Sequence, residues 1–276
     1  MKNSSRAKTF FAFISITCFT ILTGILLSFV PVAHLFTSGG SLEKMKKIIN
    51  STDIHNSFYD NFQGGIYPFT DGQSSPNGKW KAVYTGDGSM GVARDNATSG
   101  TPNNYFFEHP KTSIRYNDTT ASLVTTSKAF SDFQMTLDMK TVKQLRQNNP
   151  PAPWETAWIF WHYTDRFHYY GLVLKTNGFQ IEKKDNNVRC DCEIYLVDVS
   201  HPKVKLGQWQ TITLSVTNSA SGTPHIKVWV NGVKAADFVD QKIHQPNSPQ
   251  MSGGYVGLYN EDSLVNFDNV KINAIQ

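Results

Sequence analysis

The chain has 276 residues, 26 Lys and Arg against 22 Asp and Glu, and a formal net charge of +4 with a pI near 8.8. Three of the basic residues, Lys2, Arg6 and Lys8, precede a long apolar run, and without them 23 basic residues face 22 acidic ones. So nearly neutral a remainder, with no polybasic block, excludes partners held through phosphate charge and therefore nucleic acid.

From Thr9 to Phe36 the chain runs 28 residues without a formal charge. A membrane-spanning helix needs roughly 20 apolar residues, and the apolar part of a signal peptide only about 7–15. Residues 1–8 therefore read as a cytoplasmic basic segment and residues 9–36 as a transmembrane signal-anchor, N-terminus inside and the following domain outside the cell. The alternative is a cleaved signal and secretion, with Thr37-Ser38-Gly39 as a weak cleavage site. Residues 37–56 form a polar stalk with a short helix expected around Leu42–Ile49. Sequons at Asn50, Asn96 and Asn117 would face outside and fit glycosylation; a fourth, at Asn3, would not.

Residues 57–276 fit one domain. Six of the 35 aromatic residues lie in the apolar run, so 29 fall in the exported part. The turn dipeptides Asn77-Gly78, Asp87-Gly88, Asn177-Gly178 and Asn231-Gly232 are hairpin signals. Strands are predicted at Ser122–Thr126, Asp132–Met139, Thr156–Tyr163, His168–Lys175, Phe179–Lys184, Glu193–Val199, Thr211–Thr217, His225–Val230 and Leu264–Ile272. One short helix is expected at Val142–Arg146. Many short strands separated by turns imply an all-β, two-sheet antiparallel jelly-roll sandwich.

The richest stretch is 154–185. Two-residue turns at Asp165-Arg166 and Asn177-Gly178 would pair Trp158 with Val173, Phe160 with Gly171 and His162 with Tyr169. They would also pair Lys175 with Gln180, Val173 with Glu182 and Gly171 with Lys184. Strand side chains alternate between faces, so parity sorts the meander. One face carries Ile159, Trp161, Tyr163, His168, Tyr170, Leu172, Leu174, Phe179 and Ile181, and is the core. The other carries Trp158, Phe160, His162, Tyr169, Gly171, Val173, Lys175, Gln180, Glu182 and Lys184. Aromatic platforms among charged and amide groups suit the flat C–H faces and fixed hydroxyls of a sugar. That makes Trp158, Phe160, His162, Tyr169, Lys175, Gln180 and Lys184 candidate glycan-binding residues. The competing reading is plain packing of the aromatics and a solvated ion-pair ladder for the charges.

Glycoside hydrolysis needs two carboxylates across the scissile bond. Glu182 is the one acid clearly on the polar face, with Glu155 or Asp185 as candidate catalytic partner; His162 is an alternative general base. Cys190 and Cys192 would point the same way on a strand, leaving a strained bridge, a thiol pair or an intermolecular bridge open.

The segments FYDNF (58–62), SPNGKW (75–80), VWVNGV (228–233) and GGYVGLYNEDSLVNFDNVKI (253–272), with the aromatic meander, resemble concanavalin A-like lectin/glucanase jelly rolls. The similarity is closest to the 3-keto-disaccharide hydrolase-like group, with laminin-G-like features, and covers about 57–276. It implies two stacked sheets, one of them binding a glycan or polysaccharide, with first and last strands adjacent. It implies no required cofactor but a structural calcium near the terminal strands, for which Asp60, Glu261, Asp262 and Asp268 supply oxygens; the alternative is turn hydrogen bonds alone. The E-x-D-x-x-E strand of laminarinase-type members is missing, so retaining-glucanase chemistry is not expected. The function read from the residues is a membrane-anchored carbohydrate-binding, or carbohydrate-processing, domain. A glycoside hydrolase and an adhesive module with a protein partner are the alternatives.

Overall fold

The computed structural model describes residues 57–95, 103–185, 193–241 and 251–275. The predicted anchor and stalk, Cys190, Cys192 and the sequons at Asn3, Asn50 and Asn96 lie outside the described residues. Among these, no helix is long and apolar enough to cross a membrane.

The described residues form β1 (Ser57–Asp60), β2 (Tyr67–Phe69), β3 (Trp80–Tyr84), β4 (Ser89–Arg94), β5 (Asn104–His109), β6 (Ala121–Phe130), β7 (Phe133–Gln144) and β8 (Ala157–Asp165). They continue with β9 (His168–Leu174), β10 (Phe179–Asp185), β11 (Glu193–Val199), β12 (Gln210–Asn218), β13 (Pro224–Val230), β14 (Val233–Val239), β15 (Gly254–Glu261) and β16 (Ser263–Ala274). One sheet runs β14-β13-β12-β7-β16-β5-β4-β2, with β1 also on β16; the other runs β11-β10-β9-β8-β15-β6-β3. This is the expected antiparallel two-sheet sandwich, and its first and last strands pair, Phe58 opposite Ile272. The helix expected at Val142–Arg146 does not form: β7 continues through Gln144 because its Val265 and Leu264 partners on β16 extend the ladder.

The core lies between the sheets and follows the period of two. Phe133, Met135, Leu137 and Met139 of β7 face Ile159, Trp161, Leu172 and Ile181 of the second sheet, all buried. Burial of such side chains contributes roughly 1.5–3 kcal/mol each, and their alternation decides which face of each strand is left to carry chemistry.

Two pairings in the meander differ from expectation. β9 and β10 pair Val173 with Gln180, Gly171 with Glu182 and Tyr169 with Lys184, two residues from the predicted register. The connection holds four residues, closed by Lys175 N–H donating to the Gly178 carbonyl at 2.7 Å, instead of a two-residue Asn-Gly turn. A shift of two leaves every side chain on its predicted face. β8 and β9 pair Trp158 with Val173 and Phe160 with Gly171 as expected, then slip past a bulge to Asp165 opposite His168. His162 occupies the bulge at φ 49°. The bulge nests against β15, where a Cβ on Gly254 would lie 2.5 Å from the His162 carbonyl carbon. Beyond it the faces exchange, so Tyr163 joins the outer aromatic cluster.

Candidate functional site

The outer face of the β11-to-β3 sheet carries a second apolar cluster of Leu123, Trp158, Phe160, Tyr163, Tyr169, Val173 and Tyr259. Phe160 is stacked between Tyr169 at 4.1 Å and Tyr259 at 4.4 Å between ring centroids. Trp158 stands edge-on to Tyr259 at 5.6 Å, and its indole N–H donates to the Trp154 carbonyl at 2.7 Å. These rings bury one another, and Phe160 is only 2% exposed.

Beside the cluster lies a cavity of about 170 Å³. Trp154, Trp158, Tyr169 and Tyr195 supply its apolar walls, and Gln180, Glu182, Glu193 and Glu261 its polar ones. Trp154 and Tyr195 are 47% and 56% exposed, so they carry the open aromatic surface, whereas Trp158 and Tyr169 form a packed floor. Pockets that enclose drug-sized ligands span roughly 300–1,000 Å³, so this one is scaled to a single ring.

Three strands bring the carboxyl groups together. Glu182 of β10 lies opposite Gly171, and without a Cβ there its carboxyl folds over the sheet: an added Cβ would meet Glu182 Cγ at 3.1 Å and Oε1 at 3.3 Å. Burial, then the charges of Glu193 and Glu261, push the Glu182 carboxyl up to about 8, against the opposing Gln180 hydrogen bond and the Lys184 charge. Burial also pushes Glu261 up to about 7, opposed by the Tyr259 hydroxyl, which donates to it at 2.6 Å. Both carboxyl groups are thus held toward the protonated form, Glu182 more strongly than Glu261. Two such groups of unequal proton affinity around one small cavity are what acid–base work requires.

The remaining predicted residues take other places. Lys175 Nζ donates to Gln180 Oε1 at 2.8 Å and Asp198 Oδ1 at 2.5 Å, and Lys184 Nζ donates to Glu193 Oε1 at 3.2 Å; neither lysine lines the cavity. His162 is not on the outer face. Its ring lies against Phe133 and Tyr170 of the inter-sheet core, within 2.6 Å of the Met251 carbonyl and 2.9 Å of the Ser131 carbonyl. Burial lowers its pKa against those two contacts.

Glu155 and Asp185 do not partner Glu182. Glu155 is buried, with Arg146 Nε donating to it at 2.5 Å; the same guanidinium donates to Asp262 Oδ2 at 2.8 Å and to the Arg115 and Asp118 carbonyls. Asp185, at the end of β10, has the opposite parity from Glu182, and His168 Nε2 lies 4.0 Å from it.

The residues expected to offer oxygens to calcium each accept hydrogen bonds from protein groups. Asp60 accepts from Phe62 N–H, the Asn77 amide and the Trp80 indole at 2.9–3.0 Å. Asp268 accepts from Asn103 and Asn269, Asp262 is held by Arg146, and Glu261 turns into the cavity. Among the described residues no group of three or more His, Cys, Asp or Glu side chains is arranged to hold a metal ion.

Sequence reading missed Glu193, Tyr195 and Trp154 and gave Glu261 a different role. The alternation in β11, with Ile194 and Leu196 buried and Glu193 and Tyr195 turned out, was a usable signal. Glu261 had none, because β15 inserts between β8 and β6 from far along the chain.

No curated protein matches the chain. Among solved structures, the carbohydrate-binding module CBM66 from Bacillus subtilis is 13% identical and covers 75% of this chain and 99% of its own, with a TM-score of 0.45. A Bacillus subtilis protein of unknown function with a galectin-like fold is 10% identical over 78% of this chain and 98% of its own, TM-score 0.47. An endo-β-1,4-glucuronan lyase from the fungus Trichoderma reesei is 11% identical over 80% and 96%, TM-score 0.45. The family model of the 3-keto-alpha-glucoside-1,2-lyase-like domain matches residues 65–273, and the chain belongs to that family.

Proposed function

We propose that the chain binds one hexose ring of a glycoside in the cavity between Trp154, Tyr195 and the three glutamates, and processes it by proton transfer. The observation that carries this is the convergence of Glu182 and Glu261, two carboxyl groups raised by burial, on a ring-sized, aromatic-walled cavity. The family's description supports a 3-keto-α-glucoside as the substrate and 1,2-elimination as the reaction.

The chemistry fits the two carboxyl groups. A C3 carbonyl acidifies the C2–H bond, and Glu261 as base takes that proton. The freed electron pair forms the C1=C2 double bond, the C1–O bond to the leaving group breaks, and Glu182 gives its proton to the departing oxygen. Protons and electrons balance, and no oxidant is consumed. General acid–base help of this kind contributes about 10²–10⁴-fold. Tethering through residues 9–36 would place the domain outside the cell; protease protection of residues 57–276 in sealed vesicles checks that part.

The test is incubation with a 3-keto-α-glucoside and with its unoxidised parent, products read by mass and NMR. An unsaturated sugar, lighter by one water than the hydrolysis product, is expected from the keto substrate and not from Glu182→Gln. Undiminished turnover in Glu182→Gln overturns the assignment; binding without turnover reduces the function to glycan recognition. Retention of a protein partner with no sugar bound favours the adhesive alternative.

A further inference from the structure

The two oxygens of Glu182 are not equivalent. Oε2 accepts from the Gln180 amide nitrogen at 2.9 Å, whereas Oε1 is buried with no hydrogen-bond partner among the described residues. The Gln180 carbonyl oxygen is in turn 2.8 Å from Lys175 Nζ, and Lys175 is anchored by Asp198. An ammonium only donates, so it fixes which end of the Gln180 amide faces it; the NH₂ end is then obliged to face Glu182. An oxygen receiving that N–H has no room for a hydrogen of its own along the same line. The acid hydrogen is displaced to Oε1.

We propose that Lys175 and Gln180 are positioning residues, which orient one amide so that the acid proton of Glu182 sits on Oε1, the oxygen for which the described residues offer no acceptor. This rests on the reading of Glu182 as proton carrier given above. A buried donor without a partner is destabilising, so fixing it there has a use only if a ligand supplies the acceptor. Gly171 keeps the place open, since a Cβ there would lie 3.3 Å from Oε1.

The charged and titratable groups around Glu182 come from several elements: Glu193 and Tyr195 from β11, Glu261 from β15, Tyr169 from β9 and Lys184 from β10 itself. The hydrogen bond to the Gln180 side-chain carbonyl oxygen comes from Lys175. Lys175, expected from parity to contact sugar, acts one amide removed from it.

The test needs no substrate. Glutamate carboxyl carbons of the intact protein are ¹³C-labelled and titrated by NMR, and the Glu182 signal is assigned by its loss in Glu182→Gln. Gln180→Met removes the donor to Oε2 and is expected to raise the Glu182 midpoint by about one pH unit, the worth of one hydrogen bond. Lys175→Met, or the neutral and polar Lys175→Gln if the first does not fold, is expected to raise it comparably by freeing the amide. Gln180→Met with Lys175→Met together should go no further than Gln180→Met alone, and Lys175→Arg should restore the original midpoint. An unmoved midpoint in the lysine variants, or effects that add in full, overturns the proposal, because Lys175 would then act at most as a distant charge. If Glu182→Gln keeps its turnover, it is the catalytic reading that fails; the titrations decide the amide's role separately.

Discussion

Replacing Glu182 by Gln should make the protein less sensitive to alkali. The folded-state carboxyl is pushed up to about 8 by burial and by Glu193 and Glu261, whereas in the unfolded chain it returns to the ordinary value of 4.5. A raised folded value means that the folded state holds its proton more tightly. The stability this contributes is full below the unfolded value and is lost as pH rises through the folded one. Between about pH 6 and about pH 9 the loss works out at roughly 3 kcal/mol from Glu182 alone. Glu261, pushed up to about 7, has lost more of its share by pH 6 and contributes roughly another 1 kcal/mol. Urea denaturation at both pH values should therefore show Glu182→Gln losing about 3 kcal/mol less than wild type, because the amide also relieves the repulsion on Glu261. Equal pH dependence in the two proteins would refute the burial argument, and with it the assignment of Glu182 as an acid at neutral pH.

Phe160→Ala should admit water to the aromatic cluster and lower the Glu182 midpoint toward the ordinary carboxylate range, at a stability cost of about 3–5 kcal/mol; ¹³C titration and denaturation read the two effects. Trp154→Ala and Tyr195→Ala remove exposed rings, so stability should change by less than about 0.5 kcal/mol while glycoside affinity falls by about threefold to tenfold, measured by calorimetry. Arg146→Met strands Glu155 and Asp262 in the interior and should cost about 3–5 kcal/mol, recovered in part by adding Glu155→Gln and Asp262→Asn. A cost confined to the range of an exposed ion pair, under about 1 kcal/mol, would show that water reaches those acids.

Parity was the most durable feature of the sequence. Alternation in 158–184 places Trp158, Phe160, Tyr169, Gln180 and Glu182 on the outer face, and the two-residue slip between β9 and β10 leaves it there. Turn length was less legible, because Asn177-Gly178 is compatible with a two-residue hairpin and only the surrounding chain selects four residues. Gly178 lies under β11, where a Cβ would be 2.1 Å from the Val199 carbonyl oxygen, and Thr176 N–H is held by the Pro153 carbonyl. The bulge that removes His162 and brings in Tyr163 was invisible for the same kind of reason: it fits against Gly254, more than ninety residues away. Partners set by non-local strand order leave no local pattern. That is why Asp60, Asp262 and Asp268, acids near the chain ends with oxygens to spare on paper, turn out to be occupied by Trp80, Arg146 and Asn103.

The packed aromatics change the meaning of the polar face. Trp158, Phe160 and Tyr169 were expected to be platforms for a sugar, but with Phe160 sandwiched at 4.1 and 4.4 Å between two tyrosines little of their area is left for a ligand. Their contribution is dielectric. A sheet face with no third layer over it would leave its carboxylates in water, where Glu182 and Glu261 would ionise like any surface acid. Here the rings bury one another and exclude water from one flank of the carboxyl groups, while the Trp154 and Tyr195 side remains open. Under the proposed function one surface does two jobs that the sequence reading assigned to the same residues: inner rings hold the proton on the acid, and outer rings are left to meet a ligand. On that proposal the packing reading and the binding reading of the aromatics are not alternatives, because packing on one side of the glutamates would make binding on the other side chemically productive.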